Sequence, residues 1–208
     1  MNPSLDEQLR AADPDRWLSS RFVADAQARA DLTALYAFEA ELLAIPARVT
    51  QPLLAEMRYA WWREQLDGVF AGVARKGHPV LEALTDLVVR RGLDRAPFDA
   101  LIEAHIGRVN GEPHDLDAFY AGPMQTAVRV LVGPGREAAV VGAARVWGLT
   151  QTGRRPEAHA ARPEARAALR ALPVAAFPAV AHAALRDPAE AEPVKRLRLI
   201  WASMTGRI

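Results

Sequence analysis

The chain has 208 residues, half of them hydrophobic and a quarter charged, which suits one domain or two small ones at most and excludes a wholly disordered protein. Its 26 Lys and Arg against 25 Asp and Glu create no whole-chain field for nucleic acid, so none is expected as a partner. Without cysteine there are no disulfides, iron–sulfur clusters, Cys-ligated zinc or Cys nucleophile, and a reducing compartment fits.

The opening MNPSLDEQLR has no basic region followed by an apolar run. No segment reaches the ~18 to 20 apolar residues of a membrane span, so the expected location is cytoplasmic. Alanine, leucine and arginine dominate and apolar residues recur at three and four, which predicts helices nearly throughout. Pro14, Pro52, Pro79, Pro97, Pro163 and Pro188 mark helix starts, where a missing N–H is harmless. The clearest helix is predicted over 52–70, with Leu53, Met57, Trp61, Leu66, Val69 and Phe70 on its buried face. Adjacent residues lie about 100° apart on a helix, so Trp61 is expected in the core and Trp62 at a pocket or partner face.

Breaks at 71–78, 110–114, 133–135 and 153–156 divide the chain into eight to ten helices, an all-α bundle with short connections. The stretch 128–138 has the outline of a strand, glycine turn and helix, the start of a dinucleotide site. Its Pro134 lacks an N–H for phosphate and no β-α-β pattern flanks it, so it reads as helix, break, helix. Five Arg against two Glu over 153–170, with residues 153–163 linker-like, precede an amphipathic helix. Farther on, Lys195, Arg196 and Arg198 stand beside Leu199, Ile200 and Trp201, a mix that suits a membrane surface, a partner or the chain's own bundle. The five histidines form no H-x-x-x-H pair and are expected in structural or surface roles, and no serine sits in a G-x-S-x-G elbow.

Several stretches together resemble a known family. They are Asp13-Pro14-Asp15-Arg16-Trp17-Leu18, Arg29-Ala30-Asp31-Leu32, Leu35-Tyr36-Ala37-Phe38, Glu56-Met57-Arg58-Tyr59-Ala60-Trp61-Trp62-Arg63 and His78-Pro79-Val80-Leu81-Glu82-Ala83-Leu84. In order and spacing over residues 13–84 they resemble the squalene and phytoene synthases. Asp117-Ala118-Phe119-Tyr120, Val146-Trp147-Gly148-Leu149 and residues 201–208 are similar less specifically. The wording is most similar to the branch related to mitochondrial complex I assembly factors. The resemblance implies a single helical bundle of the isoprenoid (terpenoid) synthase type over 1–208, shortened in its second half.

In the synthases two facing helices each carry a D-x-x-x-D type motif, because an allylic diphosphate leaves only when Mg²⁺ held by carboxylates neutralises its charge. Counted without gaps from Tyr36, the first motif falls on Leu43 and Ala47, and neither can bind a metal. The nearest carboxylates, Glu39 and Glu41, lie roughly 200° apart on a helix. They are read as a solvated pair, with the alternative that one holds Arg58 or Arg63. No aspartate occurs between Asp117 and Asp187, so the second motif is missing, and Pro156 breaks the segment that would carry it.

The expectation is a non-catalytic assembly or lipid- and partner-binding factor without a cofactor. The alternative is an Mg-dependent prenyl transferase of isoprenoid biosynthesis with atypical ligands. Tyr36, Phe38, Arg58 and Trp62 are the candidate pocket for an isoprenoid-like lipid or protein partner. Arg154, Arg155, Lys195, Arg196, Arg198 and Trp201 are the candidate surface for a partner, or for peripheral contact with the inner membrane.

Overall fold

A computed structural model describes residues 4–73 and 75–208; the opening MNP and position 74 of the first glycine break lie outside them. The described residues form ten α-helices and no strand, so the all-α expectation is met. Contacts gather the chain into two compact units. The first takes the described residues up to Asp13 together with Ala30–Asp115, and the second takes Pro14–Arg29 and Leu116–Ile208.

The first unit holds α1 (Leu5–Ala12), most of α3 (Ala26–Arg48), α4 (Pro52–Phe70), α5 (Pro79–Arg91) and α6 (Ala96–Val109). Ser4 starts α1 through a reciprocal capping box with Glu7. Pro52, Pro79 and Pro97 sit in first turns as predicted. Gly92, at φ 58°, ends α5 in the left-handed region that glycine adopts without a Cβ penalty. Phe38 of α3 meets the edge of Trp62 at 5.5 Å and tilts against Phe98 at 5.6 Å, joining three helices in one aromatic core. Asp31, 2% exposed, is clasped by Arg90 and by Arg91 Nε at 2.7 Å, which ties α3 to the last turn of α5.

The buried face of α4 keeps the predicted Leu66 and Val69 but differs in its first half. Ala55, Tyr59, Trp62, Leu66 and Val69 are buried, whereas Leu53 and Met57 are exposed and Trp61 is half-buried. Trp61 is therefore not the core residue expected, while Trp62, 4% exposed, is core. An apolar residue occurs on nearly every side of this helix, so periodicity alone does not choose the stripe. Polar satisfaction does, because a buried tyrosine needs an acceptor for its hydroxyl, and Tyr59 finds one on α3.

In the second unit are α2 (Pro14–Ser20), a π turn Asp117–Ala121, α7 (Gly122–Val132), a 3₁₀ turn Glu137–Val140, α8 (Val141–Gln151) and α9 (Arg155–Leu169). Two 3₁₀ segments, Val174–Ala179 and Ala181–Ala184, and α10 (Glu192–Thr205) complete it. The helix, break, helix reading of 128–138 matches. Two glycines of α8 permit close approach: a Cβ at Gly142 would lie 3.1 Å from Ala165 Cα of α9, and one at Gly148 would lie 2.5 Å from the Tyr120 ring.

Residues 153–163 are not a linker. Pro156 lies in the first turn of α9, where its missing N–H costs nothing, and Pro163 is inside that helix rather than at a start. Pro188 precedes α10 as loop, and Pro193 takes the first-turn position. Lys195 is interior rather than part of the surface: 7% exposed, its Nζ donates to Asp15 Oδ1 and to the Pro188 carbonyl, both at 2.7 Å, which fastens α10 to α2.

We expect Trp62→Ala to destabilise the protein by about 3–5 kcal/mol, the usual cost of emptying a buried tryptophan site, and Trp61→Ala by clearly less. Urea unfolding of the two variants checks this, and equal losses would return Trp61 to the core.

Candidate functional site

The register of α3 sets the site. Leu42 and Ile45 turn inward, while Leu43, 56% exposed, and Ala47 face out. Between them Pro46 lies inside the helix and has no N–H for the carbonyl four residues back, that of Leu42. The hydroxyl of Tyr59 takes that acceptor at 3.2 Å. With its proton directed there, the tyrosine oxygen is open to an Nδ1–H of His105, 3.4 Å away, and the two rings stack at 5.2 Å. Burial, with His114 nearby, pulls the His105 pKa down to about 4, and burial pushes Tyr59 up to about 12, so both are neutral near pH 7.

Beside this knot a groove of about 560 Å³ opens along α3 and α4, reaching the start of α5. Ile45, Leu54, Met57, Trp61 and Trp62 supply its apolar lining, and Glu41, Arg48, Arg58 and His78 its polar groups. Trp61 and Trp62 meet edge to face at 5.1 Å, and His78 packs on both. His78 also caps α5, its Nδ1 accepting from Leu81 N–H at 3.4 Å. Arg75 stands over the Trp61 ring at 5.6 Å.

The predicted pocket residues divide. Arg58 and Trp62 line the groove, whereas Tyr36 and Phe38 are fully buried core beneath it. Of the two carboxylates, Glu39 is buried rather than solvated, and Glu41 pairs with Arg48 at 2.9 Å rather than with Arg58 or Arg63. Arg63 is engaged by Glu103. Leu54, Met57, Arg48 and His78 were missed as lining. Their signal was the excess of apolar residues on α4 beyond one stripe, facing a basic turn at the end of α3.

The predicted surface residues lie on the second unit, and most are already paired. Arg154 bonds Glu157, Arg155 bonds Asp187 at 2.8 Å, Arg196 Nε bonds Glu192 at 2.9 Å, and Arg198 bonds Glu190 at 2.9 Å. Lys195 is interior. Trp201 is half exposed and lies with Leu197, Ile200 and Met204 at spacings of three and four, an outward apolar stripe along α10.

The residues present do not fit the Mg²⁺ ions implied by the resemblance. Leu43 and Ala47 carry no oxygen, and among the described residues no three His, Asp or Glu side chains converge to hold a metal. No helix of the described residues is long and apolar enough to cross a membrane. Compared with known sequences, residues 9–121 match a family described as squalene/phytoene synthase. No curated protein and no solved structure matches.

Two outcomes follow from the Tyr59 knot. Tyr59→Phe strands the Leu42 carbonyl and is expected to cost about 1–3 kcal/mol. In a Pro46→Ala background residue 46 regains its N–H, and the same substitution costs less than half as much; a double-mutant cycle in urea measures the coupling. His105 binds its proton less readily when folded than when unfolded, so its contribution is intact above about pH 6.5 and lost as pH falls toward 4. That amounts to about 2 kcal/mol at pH 5, and a His105→Phe variant should show a correspondingly flatter fall in urea midpoint between pH 7 and 5.

Proposed function

The chain belongs to the squalene/phytoene synthase family, and we propose that it is a non-catalytic member whose α3–α4 groove binds an isoprenoid-like lipid, in the role of an assembly or lipid-binding factor. One observation carries the reading. At the two positions where counting from Tyr36 puts the synthases' first carboxylates, this α3 has hydrocarbon side chains facing outward, and the groove on α3 and α4 joins an apolar lining to Glu41, Arg48, Arg58 and His78. Its volume falls within the ~300–1,000 Å³ of small-molecule sites. An extended apolar tail suits Leu54, Met57 and Trp61, and an anionic head suits Arg58, which makes no ion pair among the described residues, with Arg48 beside it. Prenyl transfer with atypical ligands finds less support, because it needs hard oxygen ligands that converge.

The stripe of Leu197, Ile200, Trp201 and Met204 on α10 favours a second, compatible role, peripheral attachment to an anionic bilayer. Aromatic and aliphatic side chains enter the interface while Arg196 and Arg198 remain at headgroup level.

Farnesyl diphosphate in excess chelator should quench the tryptophan emission saturably, and Met57→Asp or Arg58→Glu should weaken binding tenfold or more. With Mg²⁺ or Mn²⁺ restored, no pyrophosphate should be released above a boiled control, and Leu43→Asp with Ala47→Asp should not create activity. Metal-dependent release overturns the non-catalytic reading; unaltered affinity in both groove variants overturns the groove. Trp201→Asp should separately lower co-sedimentation with anionic vesicles.

A further inference from the structure

The second unit contains a cavity of about 300 Å³ that the groove reading leaves unused. Arg155, Ala158, His159 and Arg162 line it from one face of α9, at spacings of three and four, opposite Thr150, Arg186 and Asp187. Arg162 is 4% exposed, yet among the described residues its guanidinium meets no carboxylate. Nη1 donates to the Ala183 carbonyl at 3.0 Å and Nη2 to the Leu185 carbonyl at 3.1 Å. Those two bonds orient the fork without bringing a negative charge into contact with it, and they use two of its five N–H groups.

The surroundings add to the imbalance. Burial and the like charges of Arg186, Arg166 and Arg198 lower the Arg162 pKa to about 10; Glu190 opposes them but is engaged by Arg198 at 2.9 Å. Among the lining residues three arginines face a single carboxylate, Asp187, which already accepts from Arg155 and from the Ala189 N–H. Thr150 spends its hydroxyl proton on the Val146 carbonyl at 2.8 Å, so the donors left for a ligand are guanidinium and imidazole groups. A buried charge without a counter-charge is destabilising, and planar guanidinium forks match the oxygens of a tetrahedral oxyanion.

We propose that this cavity is a phosphate-binding site, taking inorganic phosphate or a small phosphomonoester between Arg155, Arg162 and Arg186, with His159 as a further donor. The bound anion supplies the counter-charge that Arg162 lacks.

Isothermal titration of the full chain with inorganic phosphate, ionic strength held with chloride, should give one saturable site, and glycerol phosphate should compete for it. Arg155→Gln and Arg186→Gln alter exposed side chains, so they should fold normally and weaken phosphate binding at least tenfold each. Arg170→Gln, at an exposed position just after the last residue of α9, should leave it unchanged. Absence of saturable phosphate binding, or equal affinity in all three variants, overturns the proposal. So does binding seen only with phosphatidic acid vesicles and unaffected by free phosphate, since the donors would then be answering a membrane surface rather than a phosphate group in a cavity.

Discussion

The first unit depends on how one missing N–H is answered. Pro46 inside α3 leaves the Leu42 carbonyl without its helical donor, and a buried acceptor without a partner costs on the order of 1–3 kcal/mol. The Tyr59 hydroxyl answers from α4, and His105 stacks behind it from α6. Three helices are thus joined at one polar point inside an otherwise apolar core. That point sets the rotation of α4, placing Trp62 inward and turning Leu54, Met57 and Trp61 toward the groove.

Buried charge is paired in both units, with one exception in the second. Asp31 in the first is matched by two arginines from α5, and Lys195 in the second by Asp15 and a carbonyl. Both arrangements bring the opposite charge into contact, the condition under which a buried ion is tolerated. Arg162 departs from the pattern: it is as buried as they are, but among the described residues its acceptors are two backbone carbonyls. Since buried charges are normally paired, the exception marks a place where a ligand would complete the protein's own electrostatics.

Family membership and the site chemistry point in different directions, and the physical distinction is simple. A diphosphate leaving group needs metal ions and metal ions need converging oxygens, and among the described residues no three His, Asp or Glu side chains converge in that way. The groove on α3 and α4 offers concavity, apolar side chains and guanidinium groups, features common to small-molecule sites.

The sequence by itself determined the helices, most of their proline starts and the family, because propensity, periodicity and first-turn proline act locally and Pro52, Pro79 and Pro97 needed no distant partner. It also determined that Leu43 and Ala47 cannot hold a metal, a matter of side-chain chemistry alone. Pro156 and Pro163 misled because a helix can begin at one proline and contain another when its packing compensates, as α9 does against Gly142 of α8. Which face of α4 is buried, that Lys195 is interior and that Arg155, Arg162 and Arg186 share a cavity were decided only by the tertiary structure. Each depends on an acceptor or counter-charge from a residue remote in sequence, Leu42 for Tyr59, Asp15 for Lys195 and the carbonyls of Ala183 and Leu185 for Arg162, and no local pattern records where such a partner will come to lie.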